Sequence, residues 1–233
     1  MSRLSLLLLR CFGAWSCVSS AVPLALPTSA QLLYQQRELS MFVHFSICTF
    51  ASCEQNTCHS NPPSLFNPDS LNVAQWVETS IAAGAKEICL TARHSGGFAL
   101  WPSAHTNYSV AHSPWRAGKG DVIAEFVAAC KVRNVSPCLY FIADWDCFNA
   151  QESSDVYLRR QKGMLSELLS NYGTIDRLWL DFYGAGCGAE GQPPLCPQNV
   201  FPDAWQDIVA HVRHMSPLTM MLPGLARSRT ICG

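Results

Sequence analysis

The chain has 233 residues, 48% hydrophobic and 14% charged, with a formal net charge of −1 and a mean hydropathy of +0.08. That balance supplies enough apolar material for a packed core and excludes a disordered chain. The near-zero charge also excludes a polyanion-coating role, so no nucleic-acid partner is expected.

At the amino end, Arg3 precedes the apolar run Leu4 to Leu9. A second run from Cys11 to Val18 leads to Ser19, Ser20 and Ala21, small residues of the kind a signal peptidase requires. Arg10 interrupts the stretch, whereas a membrane span needs about 20 unbroken apolar residues. Residues 1–21 therefore read as a signal peptide, residues 22–233 as the mature chain, and no membrane association is expected after removal of the leader. Setting aside Cys11 and Cys17 leaves ten of the 12 cysteines in the mature chain. In an oxidising compartment Cys53 with Cys58, and Cys187 with Cys196, are candidate loop disulfides. Cys89 and Cys138 lie in apolar strand-like runs and read as buried thiols. A zinc reading of Cys48, Cys53, Cys58 and His59 is weak: the gaps lack the two-residue knuckle and no second ligand pair follows. No metal or cofactor is expected. Two sequons, Asn107-Tyr108-Ser109 and Asn134-Val135-Ser136, suit a secreted chain, with Pro137 disfavouring the second.

Beyond the leader, apolar runs alternate with amphipathic stretches. Met41 to Phe45 reads as a strand. After the turn-forming Asn67-Pro68-Asp69, Val73 to Ala83 carries Val73, Ala74, Val77 and Ile81 at helical spacing, and Glu87 to Ala92 returns to strand. Asp121 to Arg133 is a helix with Val122, Ile123, Phe126, Val127 and Cys130 on one face, followed by a strand from Cys138 to Ile142. Val156 to Tyr172 is a helix with Leu158, Met164, Leu165 and Leu168 inward and Arg159, Arg160 and Lys162 mostly off that face. It leads through Gly173 into a strand from Ile175 to Asp181. A helix from Ala204 to His214 and a strand from Thr219 to Leu222 complete the pattern. Such alternation defines an α/β fold with a parallel sheet, either doubly wound or a (β/α) barrel.

The positions of the reactive side chains favour the barrel. His44 lies near the end of the first strand, His94 just after the second, Asp144 and Asp146 after the third, and Asp181 at the end of the fourth. Barrel chemistry is built on that carboxyl face from several strands, and no glycine-rich phosphate loop follows the first strand.

Five ordered stretches then carry a family resemblance: Phe42-Val43-His44-Phe45; Thr91-Ala92-Arg93-His94 with Gly97 to Ser103; Asp121 to Glu125; Leu139-Tyr140 with Trp145-Asp146; and Leu178-Trp179-Leu180-Asp181. Together with the linking residues Ser113 to Arg116 and Gly118 to Asp121, they resemble the retaining α-L-fucosidases of glycoside hydrolase family 29, over about residues 36 to 222. The plant-like branch is the nearest, with Glu54 in place after Thr49-Phe50. The resemblance implies a TIM-type (β/α)8 barrel, a secretory-pathway location (secreted, lysosomal or vacuolar), fucosylated glycans as substrates, and Asp181 as the nucleophile. It implies that His44, Glu54, His94 and Tyr140 contact sugar hydroxyls. Trp179, two residues before Asp181, shares its side of the strand and is placed to pack against the C6 methyl of fucose. Trp101 matches an aromatic of the family, with a structural or a binding role open.

The departures are equally specific. Ser95 stands where the family has a second histidine, Gln55 where it has tryptophan, and Phe182 where it has glycine. The chain stops after about the fifth strand of an eight-strand barrel, so the sequence reads as a partial barrel without the C-terminal β-sandwich and without the region that normally supplies the general acid. Glu190 is a weak candidate for that role. The readings left open are therefore an α-L-fucosidase, a truncated gene product, and a catalytically inactive fucosidase-like carbohydrate-binding relative; oligomeric state is not legible.

Overall fold

The computed structural model of the chain describes residues 26–53, 61–143, 153–181 and 204–223. Glu54, Cys58, His59, Asp144, Trp145, Asp146, Phe182, Cys187, Glu190, Cys196 and the leader lie outside the described residues.

Among the described residues, five parallel strands form one sheet: β1 (Ser40–Val43), β2 (Glu87–Arg93), β3 (Ser136–Ile142), β4 (Arg177–Asp181) and β5 (Met220–Pro223). Helix α1 (Ser29–Arg37) precedes β1, and a single turn, α2 (Cys48–Ala51), follows it. The longer helices α3 (Val73–Ala82), α4 (Val122–Val132), α5 (Ser154–Ser170) and α6 (Ala204–Met215) fall one between each successive strand pair. The spatial order β1-β2-β3-β4-β5 equals the chain order. A doubly wound sheet reverses direction at a switch point. This one winds one way only, as a barrel wall does, which settles the alternative left open by periodicity.

Each strand presents two chemically distinct faces because successive side chains alternate. Ile88 and Leu90 of β2, Leu139 and Phe141 of β3, and Leu178 and Leu180 of β4 face outward. They form one core with Val77 of α3, Val122, Ile123 and Phe126 of α4, Met164, Leu165 and Leu168 of α5, and Ile208 and Val212 of α6. All five α4 residues expected to be inward are buried. The opposite, lumenal face carries Cys89, Cys138, Tyr140 and Trp179 as a separate small cluster. Local chemistry starts the helices: the Asn72 side chain accepts from Gln75 N at 3.0 Å and Asp121 Oδ1 accepts from Ala124 N at 2.8 Å, satisfying otherwise orphaned first-turn donors.

At the amino ends of the strands a buried ionic cluster joins elements far apart in sequence. Glu87, with no exposed surface, accepts from Arg37 Nη1 at 2.9 Å, Ser40 Oγ at 2.9 Å and Arg177 Nε at 2.8 Å. Arg37 also reaches Asp176 at 3.0 Å, so α1 is tied across the foot of β2 and β4.

Three expectations are corrected. Cys89 and Cys138 are not thiols: they face one another in the β2–β3 register with Cα atoms 4.2 Å apart and form a disulfide. Cys53 pairs with Cys48 across the α2 turn, Cα–Cα 4.8 Å, rather than with Cys58, which also removes two thiolates from the zinc alternative. Arg160, placed off the buried face of its helix, is 8% exposed and packs over the Tyr157 ring. The one free cysteine among the described residues, Cys130, is buried in α4, and burial pushes its thiol up to about 12.

Candidate active site

The candidate residues converge because of one irregularity. Along β2, strict alternation from Cys89 and Thr91 would turn Arg93 into the lumen and His94 out of it. The β2–β3 register instead shifts between Thr91 and Arg93, so that Thr91 opposes Tyr140 and Arg93 opposes Phe141. The extra residue exchanges the faces. Arg93 therefore lies buried on the outer side over the Phe141 ring, with Nη1 donating to the Ile142 carbonyl at 3.3 Å and to Gln161 Oε1 at 3.1 Å. His94 comes back to the lumen, where its ring stacks on Tyr140 with centroids 5.1 Å apart and planes within 9°.

His44 reaches the same face from β1, just past the end of the strand. Its backbone exit is pinned by Thr91, whose hydroxyl accepts from Phe45 N at 3.1 Å and donates to the Phe45 carbonyl at 3.0 Å. The His44 and His94 rings lie 5.7 Å apart, and burial holds His44 below its ordinary 6.5, which keeps the imidazole neutral at pH 7. From β3 and β4, the Tyr140 hydroxyl donates to Asp181 Oδ2 at 2.5 Å. Trp179 and Asp181 are both half-buried while Leu178 and Leu180 are buried, as residues two apart on one strand face must be.

Phe42 completes an aromatic wall that sequence reasoning missed as a site residue. Its ring lies 4.9 Å from Trp179, 4.2 Å from His44 and 5.7 Å from Tyr140, and the residue is 38% exposed. The signal was available, because Phe42 stands two residues before His44 on the same strand face. Trp101 resolves the other way. It is 1% exposed and its Nε1 donates to Glu167 Oε2 at 2.8 Å, while Glu167 Oε1 accepts from Ala104 N at 2.8 Å. Trp101 thus staples the loop after β2 to α5. Glu54, expected to contact the sugar, lies outside the described residues, as does Glu190. Among the described residues no group of three or more histidine, cysteine or acidic side chains is arranged to hold a metal ion.

The site thus sets one carboxylate at a strand terminus, a phenol that holds one of its oxygens, two imidazoles and an aromatic wall on the carboxyl side of a parallel barrel-type sheet. Polar side chains beside an apolar face, on the carboxyl side of such a sheet, stand where barrel proteins build their binding and catalytic sites. The chain belongs to the α-L-fucosidase family, whose profile matches residues 53–217. Alpha-L-fucosidase 1 of Arabidopsis thaliana is 39% identical over 191 residues, covering 80% of this chain and 35% of its own length. A glycoside hydrolase 29 family member from a rumen bacterium superposes with a TM-score of 0.73 at 34% identity, covering 84% of this chain and 35% of that one. A Ruminococcus gnavus fucosidase of glycoside hydrolase family 29, solved as a mutant in complex with fucose, superposes with a TM-score of 0.64 at 27% identity, covering 78% of this chain and 39% of that one. The chain therefore spans about a third of the length of these relatives.

Proposed function

We propose that this chain carries the nucleophile half of a retaining α-L-fucosidase active site and acts on fucosyl residues of glycans. The observation that carries the reading is the Tyr140 to Asp181 hydrogen bond, set between the His94 stack and the Phe42–Trp179 wall on one lumenal face. With Oδ2 held by the phenol, Oδ1 of Asp181 is the oxygen presented to the anomeric carbon. Its attack forms a glycosyl ester as the C1–O glycosidic bond breaks, the departing oxygen takes a proton from a general acid, and water then hydrolyses the ester. His44, neutral at pH 7, and His94 hydrogen-bond sugar hydroxyls, Glu54 is assigned to the same role from its sequence position, and Trp179 with Phe42 takes the C6 methyl, the apolar edge of a deoxysugar.

In this proposal residues 1–21 are a secretory leader, residues 22–233 are part of the catalytic barrel, and the protein works outside the cell or in a lysosomal or vacuolar compartment. No helix of the described residues is long and apolar enough to cross a membrane. A second reading, an inert fucose-binding relative, is favoured by the buried Ser95 at a position where the family carries histidine. Turnover of an aryl α-L-fucoside separates the two, since its activated leaving group departs without acid help. The proposal expects turnover that falls by several orders of magnitude in Asp181→Ala with folding retained. Undiminished turnover in that variant overturns it, and fucose binding without turnover in the native chain selects the second reading.

A further inference from the structure

Ser95 follows His94 directly and is 1% exposed. Its hydroxyl lies 3.0 Å from Nδ1 of His94. The contact between adjacent side chains is enforced by the backbone: Gly97 N donates to the His94 carbonyl at 2.8 Å, and Gly97 adopts a φ of 88°, so residues 94–97 close a tight turn with Ser95 at its first central position. A serine hydroxyl can donate to or accept from a ring nitrogen, so the bond restrains the rotation of the imidazole whichever nitrogen carries the proton, and in a buried place water competes little for it. The His94 ring so held is the one stacked on Tyr140, whose hydroxyl holds Asp181.

We propose that Ser95 is a positioning residue that fixes the ring orientation of His94, and through the His94–Tyr140 stack steadies the Asp181 carboxylate. The inference rests on the fucosidase reading for its functional consequence, but not for the hydroxyl–imidazole bond itself. Among the described residues, the groups that face the His94 ring from the packed elements include His44 from β1, Tyr140 from β3 and, behind it, Asp181 from β4. The Ser95 hydroxyl lies at hydrogen-bond distance from Nδ1.

The test records nitrogen-15 side-chain spectra of His94 in the full chain, native and as Ser95→Ala and Ser95→Thr, together with L-fucose affinity and the kcat and KM of aryl fucoside hydrolysis. In Ser95→Ala the Nδ1 shift of His94 should move, because that nitrogen loses its hydroxyl partner. Fucose affinity should fall about fivefold, the scale of one lost buried hydrogen bond, and kcat should fall with it. Ser95→Thr keeps the hydroxyl and should return the shifts and the affinity to within about twofold of native. Unchanged His94 shifts in Ser95→Ala overturn the proposal, and so does a threonine variant that behaves like alanine. Shifts that move as expected in a chain that neither binds nor hydrolyses fucosides leave the Ser95 assignment standing and bring down the fucosidase reading instead.

Discussion

Replacing Tyr140 with phenylalanine isolates the contact on which the proposed chemistry depends. The ring, 2% exposed and packed against Cys89, Cys138 and Trp179, is retained, so the variant removes one hydroxyl and creates almost no cavity. What is lost is a 2.5 Å hydrogen bond to a carboxylate oxygen. Bonds of this charge-assisted kind contribute about 1.5–3 kcal/mol, or roughly 10- to 150-fold in a rate that depends on them. Asp181 is only half-buried, so water replaces part of the lost donation and the expected effect falls at the lower end, about 10- to 30-fold in kcat/KM. The loss should appear mainly in kcat, because the phenol orients the attacking carboxylate rather than adding uniform affinity. The assay is initial-rate hydrolysis of an aryl fucoside beside thermal denaturation of both proteins. A kcat/KM within twofold of native refutes the orienting role, and so does a loss that tracks unfolding.

Because burial lowers the His44 pKa from 6.5, the unfolded chain takes up this proton before the folded one. The associated stability is thus fully present above 6.5 and is lost as pH falls through the lowered folded value. Fucose affinity should follow the same limb, and His44→Gln should flatten it; an acid limb unchanged in that variant assigns the dependence elsewhere. His94→Ala should slow aryl fucoside hydrolysis by roughly 10² to 10³, a positioning loss smaller than removal of the nucleophile, as read from steady-state kinetics. Glu87→Ala strands the buried Arg177 guanidinium and leaves Arg37 with Asp176 as its remaining carboxylate partner, which should cost about 3–5 kcal/mol in chemical denaturation. A cost below about 1 kcal/mol would mean that the cluster adds nothing to the hold of α1 on the sheet.

Most of the architecture was legible because it is written in periodicity. The four inter-strand helices and the five strands came from the spacing of residues such as Val122, Phe126 and Cys130, and the shared face of Trp179 and Asp181 came from alternation alone. What escaped depends on relations between segments. Helix α1 has no buried residue and hence no apolar stripe to read; it is held by Arg37, whose partners are 50 and 139 positions away. The Cys89–Cys138 disulfide requires the parallel register that sets these residues opposite each other, and an apolar run looks the same whether its cysteine is bonded or free. The bulge at the end of β2 was equally hidden. The sequence places His94 after a strand, but only the displaced pairing with β3 shows why the histidine, and not Arg93, faces Tyr140. Ser95 was read from the sequence only as a departure from the family's second histidine, whereas the turn it occupies makes it a partner of His94.

The central claim, that Asp181 forms a covalent bond to the sugar, is tested most directly by trapping. A 2-deoxy-2-fluoro-α-L-fucosyl fluoride carries a leaving group that needs no acid, while its 2-fluorine slows hydrolysis of the ester, so the glycosyl-enzyme should persist long enough for peptide mass spectrometry. The account expects one fluorofucosyl unit per chain on the peptide containing Asp181, and none in Asp181→Ala. Labelling of another carboxylate, or no adduct on a folded chain that binds fucose, would contradict it.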